Sequence, residues 1–332
     1  MSAEVIPVGD RDAPLFASDA DWETAQAALL DAELADGLPI VPPTRARLDA
    51  MLAGRDPSET FGVMPPLFGE ITARAVAWCC VIAGCHPAEF PVVLEATLAT
   101  LEPEFNLLGI QTTTGTPTAA VLVHGPATTA LGMNAGSNCL GPGNRANACI
   151  GRALRLVLTN IGGARPPVGD MATMGQPAKY GMAFAEAAHP LAEPLSVRRG
   201  LAPAASAVTV IGLSGTIEVL PEAGAATPEA VLRPALAAMQ GGLNAGSGGR
   251  QRELGEQFLL LPPEMADVLA KGGWTLGRAR TFLRDAGLAS RPVARTADDI
   301  HLIITGGAGV KMTCLVPWGG GTLCVTRRLP PM

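Results

Sequence analysis

One stretch of the chain, from Asn134 to Gly163, combines the residue types from which an active site could be built. Its first half is a loop rich in glycine and asparagine that contains Cys139, and its second half has apolar residues at helical spacing. A thiol just before a helix experiences the positive end of the helix dipole, which lowers the thiol pKa and also favours anions. We therefore expect Cys139 to be a nucleophile. The loop residues expected to bind an anionic substrate are Asn134, Ser137, Asn144, Arg145 and Asn147.

Lysine is rare in this chain, with Lys179, Lys271 and Lys311 as its only examples among 24 basic residues. Lysine can transfer protons, which arginine does not do, so a rare lysine can be retained for catalysis. Lys271 lies at the end of a predicted helix, where it complements the helix dipole. Lys179 precedes Tyr180, the only tyrosine, and Lys311 follows a glycine-rich turn. We expect Lys179, Tyr180 or Lys311 to act as acid or base, with a structural or solvated role as the alternative.

A long passage with little periodicity, residues 162–200, follows the predicted helix. Such passages in compact proteins are typically lids or binding loops, so Asp170 and Gln176 are expected to contact the substrate. Cys85 lies in the string AGCHP at the end of another predicted helix and is expected to face the same pocket.

Several motifs that would indicate a cofactor are absent from the sequence. It contains no GxGxxG after a strand, no GxxxxGK(S/T), no GxSxG and no HExxH. Four histidines are scattered without the spacing of metal ligands. We therefore expect no cofactor and no histidine-based metal site, and a metal bound through carboxylates or thiolates is left as an alternative.

Composition limits the partners that the protein can bind. The net charge of −6 and the lack of a Lys/Arg stripe argue against nucleic acid and anionic membranes. Hydrophobic residues form 48% of the chain and charged residues only 16%, which predicts an apolar surface and a homo-oligomer. The first residues do not resemble a signal peptide, and seven cysteines without a CxxC pair suit a reducing compartment, so we expect a cytoplasmic protein.

The alternation of predicted helices and strands indicates an α/β fold with mixed sheets. We expect a helix and an extended proline-rich arm in residues 1–70, a first half in 71–200 and a second half in 201–332. Helices are predicted around Arg45 to Leu52 and at Leu276 to Asp285. The predicted strands include Leu107 to Thr113, Thr118 to His124, Ala207 to Leu213, Ile217 to Leu220, Gln257 to Leu261 and Ile300 to Thr305.

An internal duplication is predicted from two matching passages, residues 93–106 and 231–244, each followed by a strand, a short helix and the string GRA. Both halves would then be helix-strand-helix-helix units. The first copy is longer because it contains the Cys139 loop. The second has its own glycine-rich piece, NAGSGGRQRE, with Arg250, and the two glycine loops are expected to share a cleft.

Five strings in the sequence resemble a widespread bacterial family labelled UGSC-type selenoprotein-like: DGLPIVPPT, VIAGCHPAEFPVVLEA, GPGNRANACIGRALRLVLTNIGG, DMATMGQPAKY and the final GGAG-K turn. The resemblance covers about Asp36 to Arg328. The UGSC tetrad itself is absent, and the nearest string is Gly136-Ser137-Asn138-Cys139. The resemblance implies no particular reaction.

The residues thus favour a cofactor-independent lyase or hydrolase that acts on a small carboxylate-bearing molecule. One alternative is a thiol-redox protein in which Cys139 pairs with Cys85 or Cys314. A second alternative is a protein that binds a small molecule without catalysis.

Overall fold

The computed structural model describes residues 4–247, 255–286 and 292–331. Its main feature is a mixed sheet of seven strands with helices packed on its outer side, which confirms the α/β prediction. Two small two-stranded sheets lie in the N-terminal region. Within the described ranges, no helix has the length and apolar character needed to cross a membrane.

The secondary structure alternates along the chain. The strands are β1 (Glu4–Val8), β2 (Arg11–Leu15), β3 (Thr60–Met64), β4 (Gly69–Thr72), β5 (Thr118–His124), β6 (Ala183–Ala185), β7 (Ala207–Val219), β8 (Gln257–Leu261), β9 (Ile300–Ile304), β10 (Met312–Pro317) and β11 (Val325–Arg328). The α-helices are α1 (Trp22–Asp31), α2 (Arg45–Leu52), α3 (Ala73–Ala83), α4 (Phe90–Thr100), α5 (Leu107–Thr112), α6 (Pro126–Ala130), α7 (Arg145–Asn160), α8 (Leu195–Arg198), α9 (Pro228–Ser247), α10 (Pro263–Lys271) and α11 (Leu276–Asp285). Four 3₁₀ turns lie at Pro87–Glu89, Pro103–Phe105, Pro177–Tyr180 and Ala297–Asp299.

The strand order of the main sheet is β6-β5-β7-β10-β8-β9, and β11 pairs with β7 beside β10. Two neighbouring pairs are parallel, β5 with β6 and β8 with β9, and each is joined by a helical crossover. The other pairs are antiparallel. Counted inward from each edge of this six-strand path, the order β6-β5-β7 corresponds to the order β9-β8-β10. This correspondence is the pattern that two related halves would produce, although the duplication itself stays a prediction.

The main sheet curls so that its two edge strands meet at their carboxyl ends. Ala187, just after β6, donates its amide to the carbonyl of Ile304 in β9 at 2.7 Å. Inward-facing residues of the six strands β5 to β10 form one apolar cluster, which includes Leu122, Phe184 and Leu260. Two further clusters lie outside the curl, one under α3, α4 and α7 and one under α9, α10 and α11. The four strands of the two parallel pairs, β5, β6, β8 and β9, are therefore buried on both faces.

The N-terminal region carries more regular structure than the predicted proline-rich arm. It contains two hairpins, β1 with β2 and β3 with β4, together with α1 and α2. Ile6 and Val8 are buried in the same cluster as α3 and α7. Arg152 of α7 binds both carboxylate oxygens of Asp36 at 2.8 Å, which fastens this region to the helix that follows the Cys139 loop.

Two strand predictions were wrong. The segment Leu107 to Thr113 is helical (α5), because the Asn106 side chain accepts a hydrogen bond from the Gly109 amide and so begins a helix. The two strands predicted from Ala207 to Leu220 are the single long strand β7, whose pairing with β10 shifts register near Gly215. β7 can run on because β5 pairs with its first half and β10 with its second.

Candidate active site

The Cys139 loop is held to the first turn of α7 by two asparagines. Asn144 caps the helix, since its side chain accepts from the Asn147 amide at 3.0 Å. The buried Asn147 side chain accepts from the Asn134 amide at 3.0 Å and donates to the carbonyls of Asn134 at 2.9 Å and Cys139 at 3.1 Å. Asn134 in turn bonds the backbone of Ser137 and Gly136. These three predicted binding residues therefore shape the loop.

The loop crosses from the first half of the sheet to the second, where it docks on the turn between β9 and β10. Gly306 donates its amide to the Ala135 carbonyl at 2.9 Å. Gly307 approaches the loop so closely that a β-carbon at this position would lie 2.6 Å from the Cα and Cβ atoms of Ser137. Only glycine permits this approach. The second glycine-rich segment predicted to join the loop, which includes Arg250, falls mostly outside the described residues.

A cavity of about 520 Å³ opens between the loop and the turn. Cys139 and Ser137 form one wall, and residues of the turn with Lys311 form the opposite wall. The cavity is lined by Ser137, Asn138, Cys139, Leu140, Gly141, Glu218, Leu260, Pro262, Thr305, Gly306, Gly307, Ala308, Gly309, Val310, Lys311 and Thr313. It therefore lies at the carboxyl ends of the parallel strands β8 and β9, where ligands commonly bind in α/β proteins.

The Cys139 side chain lies at the inner wall of this cavity and is 7% exposed. Its sulfur is 3.5 Å from the hydroxyl oxygen of Thr305. The same hydroxyl lies 2.9 Å from the Ala185 carbonyl and 3.2 Å from the Ala135 carbonyl. A hydroxyl has one proton to donate, so it can donate to a carbonyl while it accepts from the thiol, or rotate to donate to a thiolate. Thr305 thus fixes the sulfur where the first half meets the second.

Charge and hydrogen-bond donors lie across the cavity from the thiol. Lys311 and Glu218 form an ion pair of 3.1 Å with both side chains about 60% exposed, so solvent screens their attraction. Within the described residues, the amides of Gly307 and Ala308 donate to no protein acceptor, whereas the Gly309 amide donates to Glu264 at 2.8 Å. Adjacent free amides in a glycine turn favour an anion.

A second group of predicted site residues lies away from the cavity lining. Asp170 is buried and accepts two hydrogen bonds of 2.7 Å from Lys179 and one of 2.8 Å from Arg155. Burial alone would raise the pKa of the Asp170 carboxyl, but the bond from Lys179 and the charge of Arg155 outweigh it, so the pKa is lowered. The Gln176 amide donates to two backbone carbonyls, and the Tyr180 side chain is exposed. Asp170 thus joins the irregular passage to α7 through Arg155, and Gln176 joins it to the backbone of Thr116 and Leu213.

Cys85 and Arg145 belong to a third location. Cys85 is buried, and its sulfur donates to the Cys149 carbonyl at 3.4 Å. A side-chain hydrogen bond with Cys80 is the main cause that raises the pKa of the Cys85 thiol well above its usual value, and burial is the second cause. Arg145 pairs with the buried carboxylate of Glu89 at 2.5 Å. The lining of the cavity includes neither Cys85 nor Arg145.

The geometry adds residues that the sequence interpretation missed, chiefly Glu218 and Thr305. Thr305 ends a predicted strand immediately before the glycine turn, a position that could have indicated a site. No sequence pattern indicated Glu218, because it lies in the second half of β7, and the pairing of this segment with β10 was not predicted. No protein-family model, curated protein or solved structure matches this chain.

Proposed function

We propose that the protein is a cofactor-independent enzyme, a lyase or hydrolase, that acts on a small carboxylate-bearing molecule with Cys139 as its nucleophile or acid/base. One observation carries this proposal: the lining of one cavity between two glycine-rich segments includes a thiol, a lysine and two residues, Gly307 and Ala308, whose amides donate to no acceptor among the described residues. The volume of about 520 Å³ suits a small molecule. The apolar side chains of Leu260, Pro262 and Val310 would contact its non-polar part.

The residues of the cavity divide the work of binding and reaction. Lys311 would bind the substrate carboxylate, and its pairing with Glu218 holds the ammonium group at the rim. In a hydrolase, the Cys139 sulfur would form a bond to the substrate carbonyl carbon while the carbonyl π electrons move to oxygen. The amides of Gly307 and Ala308 would stabilise that oxyanion. Its collapse would expel the protonated alcohol or amine and leave a thioester, which water would hydrolyse to free the thiol. In a lyase, the thiolate would instead remove a proton from the carbon next to the carboxylate, and the bond from the adjacent carbon to its leaving group would break as the double bond forms.

The proton of the Cys139 thiol must leave before either reaction. Among the residues of the cavity lining, the other titratable side chains are Glu218 and Lys311. The Glu218 carboxylate can receive this proton, directly or through water, while Lys311 keeps the ammonium form that binds the substrate. The Thr305 hydroxyl can then donate to the thiolate. Thr305 is thus a positioning residue.

We further propose a cytoplasmic homo-oligomer. The irregular passage presents apolar side chains to solvent, with Met174 88% exposed, Val168 61% and Met171 54%. Apolar side chains grouped in one loop are typical of a surface that associates.

The proposed role of Cys139 is tested by alkylation of the whole protein with iodoacetamide, followed by peptide mass spectrometry. We expect Cys139 to be modified first at pH 8, because its sulfur lies at an open cavity. Cys149 is the internal control: it is more exposed, but burial is the main cause that raises the pKa of its thiol to about 11. Preferential labelling of Cys149 would contradict the assignment.

Activity is tested with a panel of small carboxylic acids, esters and amides, screened for thermal stabilisation and for turnover. We expect Cys139→Ala to abolish turnover and Lys311→Met to weaken binding at least tenfold, with Lys271→Met as the control for an exposed lysine outside the cavity. Full turnover by Cys139→Ala on a substrate of the wild type would refute the catalytic role.

A further inference from the structure

A second group of reactive side chains lies at the other end of β8 and β9 from the cavity. Glu256 immediately precedes β8, His301 is the second residue of β9, and Cys324 precedes β11. All three are buried, at 6%, 3% and 6% exposure. The imidazole Nε2 of His301 lies 2.8 Å from the Glu256 carboxylate, and one ligand atom from each residue lies within 4.8 Å of the others. Nothing in the proposed reaction uses them.

The donor types in this cluster match one class of metal ion. A carboxylate oxygen, an imidazole nitrogen and a thiolate sulfur together suit Zn²⁺ and similar late first-row divalent ions, whereas Mg²⁺ and Ca²⁺ prefer oxygen alone. Over the ranges 4–247, 255–286 and 292–331, this is the one group of three such side chains with ligand atoms this close. The Nδ1 atom of His301 is also buried without a hydrogen-bond partner, so protein contacts leave this ring incompletely satisfied.

Arg199 is the residue that decides whether a metal can enter. Its guanidinium donates to the Glu256 carboxylate and, at 3.0 Å, to the Cys324 sulfur. A dication bound by Glu256 and the Cys324 thiolate would be neutralised by those two ligands alone, so the guanidinium adds an unbalanced positive charge. The Arg199 side chain is 37% exposed, and it can therefore turn toward solvent or remain as an N–H donor to a bound thiolate.

We propose that Glu256, His301 and Cys324 bind one Zn²⁺ ion and that Arg199 competes with it for the same two anionic ligands. Cys324 binds as the thiolate and releases its proton to solvent. Three protein ligands leave a fourth tetrahedral position for water. This inference does not depend on the proposed reaction at Cys139.

The test uses Co²⁺ as a spectroscopic substitute for Zn²⁺ in the full-length protein, with metal content measured after equilibrium dialysis. We expect one Co²⁺ per chain and a thiolate-to-cobalt charge-transfer band in the near ultraviolet. Cys324→Ser should lose this band, and Cys314→Ser, which removes another buried thiol outside the cluster, should keep it. Persistence of the band in Cys324→Ser would overturn the assignment.

Arg199→Met separates a metal site from a purely structural ion network. We expect it to bind Co²⁺ at least about tenfold more tightly than the wild type, because the substitution removes a positive charge that lies within a few ångströms of the ion. If Cys324→Ser does not fold, as judged by circular dichroism, His301→Gln serves as the second ligand variant and should also lose the metal. Absence of bound Co²⁺ in both the wild type and Arg199→Met would overturn the proposal.

Discussion

Replacing Asn147 by alanine should loosen the Cys139 loop without unfolding the protein. The Asn147 side chain makes three hydrogen bonds to the backbone of Asn134 and Cys139, at 2.9–3.1 Å, and it is buried. Its loss leaves one amide and two carbonyls unpaired. At about 1 kcal/mol for each hydrogen bond, we expect a loss of about 3 kcal/mol in the free energy of unfolding. Domains are typically stable by about 5–15 kcal/mol, so the variant should still fold.

Two measurements test this expectation. Urea denaturation gives the change in the free energy of unfolding, and the rate of Cys139 alkylation reports whether the loop opens more often. We expect the variant to be less stable and Cys139 to react faster, while Cys149, on α7 itself, reacts at an unchanged rate in native conditions.

Asn138→Gly is the matched control for this prediction. Asn138 lies in the same loop, is exposed, and donates one side-chain hydrogen bond, to the Pro142 carbonyl. Its φ of 59° is one that glycine adopts without strain, so we expect a change below about 1 kcal/mol. If Asn147→Ala costs no more than this control and leaves Cys139 reactivity unchanged, the side-chain bridge does not hold the loop.

Two further substitutions test other parts of the structure. Gly307→Ala should separate the cavity walls, because its β-carbon would lie 2.6 Å from Ser137. We expect urea denaturation to show a loss of about 1–3 kcal/mol in the free energy of unfolding. Gly241→Ala in α9 is the control: a β-carbon there meets no atom, so this substitution should be neutral or stabilising. Asp170→Asn should cost about 3 kcal/mol at pH 7 by leaving the Lys179 charge poorly paired. Since the pKa of Asp170 is lowered on folding, its contribution is present above pH of about 4 and is lost as the pH falls through the folded-state pKa. The difference between the two proteins should therefore shrink in acid, and a constant difference would contradict this account.

Helices with long apolar stripes and buried strands were predictable from the sequence. The bounds of α2, β5, β8 and α11 agree with their predictions because cap residues or proline and glycine mark their ends. Helix α5 was not predicted, since six residues are too few for periodicity to distinguish a helix from a strand. β7 was divided in the prediction because a glycine normally marks a turn, whereas Gly215 lies at a register shift inside the strand.

The candidate site was predictable in part. Cys139, Ser137 and Lys311 do line one cavity, since both glycine-rich segments lie at the carboxyl end of the sheet. Lys179 and Lys311 were selected on the same ground, the rarity of lysine in this chain. The sequence pattern did not reveal that the Lys179 ammonium group binds Asp170. Asparagine looks the same in a sequence whether its amide faces a ligand or, as in Asn147, a backbone carbonyl.

The two walls of the cavity come from segments far apart in the chain, residues 137–141 and 305–311. A ribosome completes the first of these long before it begins the second, so the thiol spends much of synthesis without its opposing wall. The cavity comes into existence only when the strands of the second half have been made and have folded back. A chain truncated before residue 305 would thus contain the sulfur without its opposing wall.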